Sequence, residues 1–110
     1  ENLSISPIQA LEWATINGAH MMGMEHKIGS LSIGKQADII LVRTNDLNIR
    51  PVNDPINALV FYANASNVDT VYIAGKAVKK KGKLAYKGLP NVMTKLEKSR
   101  QRILANVHVA

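Results

Sequence analysis

The stretch KIGSLSIGKQADIILV, Lys27–Val42, predicts how the middle of the chain folds. Two glycines bracket a short apolar piece over residues 30–33, which we interpret as a short strand followed by a turn. The next apolar run, Ile39–Val42, shows no alternation of apolar and polar residues, so we expect a strand that is covered on both faces. Asp38 precedes this run and is expected to accept hydrogen bonds from the amides of a turn.

A helix is predicted on the N-terminal side of this stretch, over Pro7–Met22. Ser6 suits the N-cap, proline suits the first helical position, and Gln9 stands where a capping box places it. Gly18 lies inside the helix, where glycine costs about 1 kcal/mol relative to alanine, so we expect another backbone to approach closely there. Gly23 is predicted to end the helix.

The remaining pattern predicts a short helix, a hairpin and a long final helix. The apolar residues within Ile56–Tyr62 fit one or two helical turns. Val68–Ile73 alternates well, and the turn residues Ala74–Lys76 connect it to a return strand, which predicts a hairpin. A thin apolar stripe predicts a helix over Pro90–Asn106. The order of these elements predicts an α+β fold.

Length and composition limit the possible classes of protein. The 110 residues fit one domain or a piece of a larger protein, and the start at Glu1 rather than Met leads us to expect an excised portion. The absence of cysteine excludes disulfides and thiol nucleophiles and fits a cytoplasmic location. We expect no membrane partner, because no apolar run is long enough to span a bilayer.

The formal net charge of +6 is unevenly distributed. Arginine interleaved with aromatic residues, the pattern of single-strand binders, is missing, so we interpret the basic positions as solvated surface and expect no nucleic-acid partner. The alternative is a stand-alone basic binding or scaffold module that contacts an acidic partner. The crowded lysines are Lys76, Lys79, Lys80, Lys81, Lys83 and Lys87.

No catalytic, cofactor-binding or metal-binding residue is predicted from local motifs. The histidines His20, His26 and His108 lack the HxH, HExxH or i,i+4 spacing that metal sites favour. Asn45-Asp46 and Asn53-Asp54 lack the alternation, central glycine and closing glutamate of a calcium loop, so we interpret them as turn residues. We therefore expect no cofactor within this chain.

A longer-range pattern resembles a known superfamily. The text ALEWATINGAHMMGMEHKIGSLSIGKQADIILV, residues 10–42, is similar to the C-terminal end of metal-dependent amidohydrolases. The text PVNDPINALVFYANASNVDTVYIAGKAVKKKG, residues 51–82, resembles the branch with cytosine-deaminase-like enzymes, S-adenosylhomocysteine deaminases and triazine hydrolases. The resemblance implies a parent enzyme with a TIM-type (β/α)8 barrel plus a β-sandwich. It also implies a divalent metal, zinc or iron, whose bound water hydrolyses C–N bonds in purine, pyrimidine or triazine-like substrates.

The resemblance further implies how this chain divides and what it contacts. Residues 1–24 would be the last barrel helix, residues 25–87 the C-terminal part of the composite β-sandwich, and residues 88–110 a C-terminal helix. The family's metal ligands match no position here, so the chain alone is expected to be inactive. Its expected partners are the missing barrel and N-terminal strands, and self-association is expected without them. A dihydroorotase-like or imidazolonepropionase-like hydrolase is an alternative within the superfamily.

Overall fold

A computed structural model describes residues 4–107 of the chain. It shows an α+β arrangement in which helical segments accompany one antiparallel sheet of four strands. The helices are α1, Pro7–Glu12; α2, Gly18–Met21; α3, Pro55–Phe61; and α4, Leu89–Asn106. The strands are β1, Ile39–Val42; β2, Val68–Ile73; β3, Lys76–Lys80; and β4, Lys83–Leu84. Every predicted helix is confirmed, as is the hairpin.

The first helix begins as the sequence predicts. The Gln9 amide donates to Ser6 Oγ at 3.3 Å, and the Ser6 amide donates to Gln9 Oε1 at 2.9 Å, which completes a capping box. Between α1 and α2, residues Trp13–Asn17 form a π-helical segment that the periodicity did not predict. The predicted helix over Pro7–Met22 is therefore one helical rod with a wider turn in its middle.

The end of this rod is a Schellman motif. Gly23 has a φ of +66°, and its amide donates to the carbonyl of His20 at 3.0 Å. The Met24 amide donates to the carbonyl of Ala19 at 2.9 Å. Both bonds satisfy carbonyls at the helix end, and glycine permits the left-handed conformation that they need. The predicted role of Gly23 is confirmed.

The predicted close approach occurs at a different glycine. A Cβ added at Gly18 would come within 4 Å of one described atom, the carbonyl oxygen of Trp13, which belongs to the same helical rod. Among the described residues no other backbone approaches Gly18, so this expectation is wrong. Gly29 is the crowded position: a Cβ there would lie 2.7 Å from Ala19 Cβ and 3.0 Å from Ile16 Cα. The loop after α2 therefore folds back onto the rod through Gly29.

The predicted strand over residues 30–33 is wrong. These residues form a loop in which the hydroxyl oxygens of Ser30 and Ser32 lie 3.1 Å apart. The Gln36 amide donates to the carbonyl of Lys27 at 2.8 Å, which closes the loop. Glycines with positive φ flank the piece on both sides, and it is too short to pair as a strand between two such bends.

The four strands form a meander in the order β1-β2-β3-β4. Ile39 lies opposite Tyr72 between β1 and β2, and Val71 lies opposite Lys79 between β2 and β3. Lys79 in turn lies opposite Leu84 between β3 and β4. Each connection after β2 is a short turn, so neighbours in sequence are neighbours in the sheet.

Two tight turns set this order. Ala74 and Gly75 have φ values of 51° and 77°, and Lys81 and Gly82 have values of 50° and 75°. Two consecutive residues with positive φ are the conformation of type I′ turns, whose twist matches that of paired strands. Asp38 supports the first turn, because the Ala74 amide donates to Asp38 Oδ1 at 2.8 Å. The predicted role of Asp38 is confirmed.

Little apolar surface is buried within residues 4–107. The buried hydrophobic residues are Ala19, Ile49 and Ala58. Ile40 and Leu41 remain 61% and 50% exposed, so the expectation that β1 is covered on both faces is wrong for this chain by itself. The radius of gyration is 19.1 Å, against about 13 Å for a compact chain of this length.

Among the residues described, none of the helices combines the length and the apolar character needed to cross a bilayer. The longest helix, α4, carries charged side chains along its length.

Candidate functional site

A buried asparagine organises a polar network between the sheet and the loops beside it. Asn67 is 1% exposed and ends the 3-10 turn Ala65–Asn67 between α3 and β2. Its Nδ2 donates to Asp46 Oδ2 at 2.8 Å and to Asn48 Oδ1 at 3.0 Å. Its Oδ1 accepts from Asn48 Nδ2 and from the Asn64 amide, both at 2.9 Å. All the hydrogen-bonding positions of this side-chain amide are therefore used.

Arg43 extends the network to the sheet. Its Nε donates to Asp46 Oδ2 at 3.1 Å, and its guanidinium lies 3.5 Å from Asp69 Oδ1. It also donates to the carbonyl of Ser66. The guanidinium thus connects the end of β1 to the following loop and to β2. Its five N–H donors allow it to contact several partners at once. We name Arg43, Asp46, Asn48 and Asn67 the polar network.

The charge of Asp46 is stabilised by this arrangement. The hydrogen bond from Asn67 is the largest influence that holds the pKa of Asp46 below its ordinary value of 3.8. Arg43 lowers the pKa further through its charge and its hydrogen bond, while burial opposes both. The carboxylate stays ionised at neutral pH and serves as an acceptor that holds the loop in place.

We expect Asp46→Asn to weaken the dependence of the free energy of unfolding on pH in the acid range. The pKa of Asp46 is lower in the folded state, so its contribution to stability is complete above the ordinary value of 3.8 and is lost as the pH falls through the folded-state pKa. The free energy of unfolding, measured with urea at a series of pH values from neutral to acid, should decrease less in the variant than in the unmodified chain. Equal slopes would contradict this role of Asp46.

The polar network was not predicted from the sequence. The sequence predicts a turn role for Asp46 and no site role for Asn64 or Asn67. The one available signal was the Asn64-x-x-Asn67 spacing, because it allows the reciprocal capping bonds that the structure shows at this turn.

A small pocket of about 380 Å³ lies beside the network. Ile49 and Ala58 form its buried floor, and Arg50, Asn53 and Asn57 contribute polar groups at its margin. Asp54 uses Oδ1 to accept from the amides of Ile56 and Asn57 at 2.8 and 2.9 Å, which caps α3. Asp54 is therefore the N-cap of α3, a more specific role than the turn residue that the sequence predicts.

A much larger groove separates the helical rod from the sheet. Its volume is about 1000 Å³, and its two walls are formed by residues such as Leu11 and Ala14 of the rod and Ile40 and Val71 of the sheet. We name this space the apolar groove. An exposed apolar surface of this kind marks a contact with another part of a protein or with a partner.

The histidines do not converge. His20 Nδ1 lies 3.8 Å from Glu25 Oε1, His26 is exposed after α2, and His108 lies outside the described residues. Within residues 4–107, no three side chains of His, Cys, Asp or Glu lie close enough to hold a metal ion. The prediction that the chain has no catalytic, cofactor or metal residue remains a prediction.

Comparison with known proteins identifies the family. The family model described as "Amidohydrolase family" matches residues 1–78, and the chain belongs to this family. A 5-methylthioadenosine/S-adenosylhomocysteine deaminase from Caldanaerobacter subterraneus is 35% identical over 102 residues, which are 93% of this chain and 24% of that protein. A 5′-deoxyadenosine deaminase from Methanobrevibacter smithii is 42% identical over 77 residues, or 69% of this chain and 18% of that protein.

Solved structures agree with this assignment. An adenosine deaminase from Xanthomonas campestris, with bound zinc, matches with a TM-score of 0.87 and 28% identity, over 93% of this chain and 23% of that one. A triazine hydrolase from an Arthrobacter species has the same fold, with a TM-score of 0.74 and 22% identity, over 83% of this chain and 20% of that one. The chain spans about a quarter of the length of the curated relatives it matches.

Proposed function

We propose that this chain is the non-catalytic C-terminal structural part of a longer metal-dependent amidohydrolase of the deaminase type. The longer protein would combine a TIM-type barrel with a β-sandwich. In that division residues 1–24 belong to the barrel, residues 25–87 to the sandwich, and residues 88–110 form the C-terminal helix. The names of the relatives support a purine nucleoside-like substrate over a dihydroorotate-like or imidazolone-like one.

The observation that carries this proposal is the uncovered apolar surface. Ile40 and Leu41 on β1 are half or more exposed, and the apolar groove beside them is open. A strand without charged residues at a sheet edge is a site where another strand pairs. Relatives about four times longer than this chain contain additional residues that would cover these surfaces.

The metal chemistry would come from the rest of the longer protein. A zinc or iron ion held there would lower the pKa of a bound water, which is the chemistry that hydrolysis of a C–N bond needs. The described residues do not fit such an ion, because His20 and Glu25 offer two donors 3.8 Å apart and no third ligand joins them. The part assigned to this chain is packing: the helical rod and the sheet would support the barrel that holds the ion.

A chimera tests this proposal. We expect a chimera to keep zinc-dependent ammonia release from methylthioadenosine when this chain replaces the matching 102 residues of the Caldanaerobacter deaminase. The matched controls are that deaminase truncated before the segment, expected to lose folding and activity, and this chain alone with zinc, expected to be inactive. Full activity of the truncated deaminase, or turnover by this chain alone, would contradict the proposal.

A further inference from the structure

The helical rod contains one chemically reactive dipeptide. Asparagine is followed by glycine once in the chain, at Asn17-Gly18, where the π-helical segment joins α2. The backbone nitrogen of the residue after an asparagine can attack the side-chain amide carbon, and glycine hinders this least because it has no Cβ. Asn17 is exposed, and among the described residues its side chain makes no capping bond. An asparagine that can lose ammonia therefore lies inside a helix.

The folded backbone keeps the two reacting groups apart. Asn17 has a φ of −69° and a ψ of −36°, which are helical values. Closure of a ring between the side chain of Asn17 and the nitrogen of Gly18 requires this ψ to rotate out of the helical range. The N–H of Gly18 also donates to the carbonyl of Thr15, which opposes loss of its proton. The reaction therefore requires the rod to open at this point.

Few contacts oppose an opening of this part of the rod. None of the described residues Trp13–Asn17 is buried, and π-helical turns are rare, isolated departures from the α-helical pattern. The loop contact at Gly29 lies against Ile16 and Ala19, on either side of the reactive dipeptide. Segments with little buried surface open locally, without unfolding of the whole molecule. The loop contact is therefore the feature that limits how often the rod opens here.

We propose that Asn17 is a site of spontaneous deamidation, at a rate set by local opening of the helical rod beside the Gly29 contact. In the open state the Gly18 nitrogen loses its proton and bonds to Cγ of Asn17. The side-chain nitrogen then takes a proton from water and leaves as ammonia, so that a cyclic imide remains. Water opens the imide at either carbonyl and gives aspartate or isoaspartate. Isoaspartate adds one atom to the backbone, so the regular hydrogen bonds of the helix do not continue through it.

Peptide mass mapping of the whole chain tests this proposal. The chain is incubated at mildly alkaline pH in heavy-oxygen water, either folded in buffer or unfolded in urea. In urea, we expect Asn17 to react faster than every other asparagine and to give isoaspartate beside aspartate, because direct hydrolysis by water gives aspartate alone. In the folded chain, the reaction should be at least about tenfold slower. Absence of isoaspartate, or equal rates in the two states, would overturn the proposal.

Substitutions separate the chemistry from the opening. Gly18→Ala, measured in urea so that folding has no influence, should slow the reaction at Asn17 to the rate at Asn57, which alanine follows in the unmodified chain. In the folded chain, Gly29→Ala disturbs the loop contact and should accelerate the reaction about tenfold or more. Gly34→Ala is the matched control, because its φ is also positive but no atom lies near an added Cβ. Equal acceleration by the two glycine variants would overturn the role of the loop contact.

Hydrogen exchange keeps the test valid if Gly29→Ala unfolds. Exchange of the Gly18 amide in the unmodified chain measures the same opening without any substitution. We expect the protection of this amide against exchange to agree within about threefold with the protection of Asn17 against deamidation. A larger disagreement would show that the two processes use different openings and would overturn the proposal. These measurements follow the chemistry of one dipeptide, so they are independent of the proposed activity.

Discussion

Gly29→Ala is expected to lower the free energy of unfolding by about 3 kcal/mol. The φ of Gly29 is +91°, which strains any side chain, and the added Cβ would lie 2.7 Å from Ala19 Cβ and 3.2 Å from the carbonyl oxygen of Thr15. Ala19 Cβ and the Thr15 carbonyl are fixed to the backbone of the helical rod, so the contact is relieved only if the rod or the loop shifts. Urea unfolding followed by circular dichroism measures the difference.

Gly34 provides the matched control for this substitution. Its φ of +89° is almost the same, but no atom lies within 4 Å of the position of an added Cβ. Gly34→Ala should therefore cost only the backbone strain, about 1 kcal/mol. Equal losses in the two variants would show that the contact with the helical rod contributes nothing.

Asn67→Leu is expected to destabilise the chain by about 3 kcal/mol. Leucine is similar in size but offers no polar group, so the amide of Asn64 and the side chains of Asp46 and Asn48 each lose a partner. Several polar groups left without partners around a buried position cost more than one typical hydrogen bond contributes. Thermal and urea unfolding should agree on the loss.

Asn57→Leu is the control for the asparagine prediction. Asn57 is an exposed asparagine on α3 that lines the small pocket, outside the polar network. Its replacement should change the free energy of unfolding by less than about 0.5 kcal/mol. If Asn67→Leu were as mild as this control, the polar network would not hold the loop after β1 against the sheet.

The elements specified by local signals were predictable from the sequence. The capping box at Ser6, the glycine end at Gly23 and the hairpin turn at Ala74-Gly75 each depend on residues within a few positions of one another. Such contacts form the same way in most tertiary surroundings, so the sequence pattern was sufficient to place the helix and the hairpin.

Features that depend on distant residues were not predictable. The polar network joins Asp46 to Asn67 across 21 positions, and neither residue belongs to a motif that indicates the other. The folding of the loop onto the helical rod likewise depends on Gly29 meeting Ile16 and Ala19. The apolar run of β1 predicted burial, but burial depends on a covering surface, which this chain by itself does not supply.

The π-helical segment Trp13–Asn17 determines the direction in which the later side chains of the helical rod point. Each helical residue advances the side chain by about 100°, so loss of one residue from this segment would turn Ala19 away from Gly29 by about a quarter of a revolution. The single wide turn therefore acts as a spacer that aligns two contact faces. Homologues in which this segment is one residue shorter would need a different loop to close the same rod.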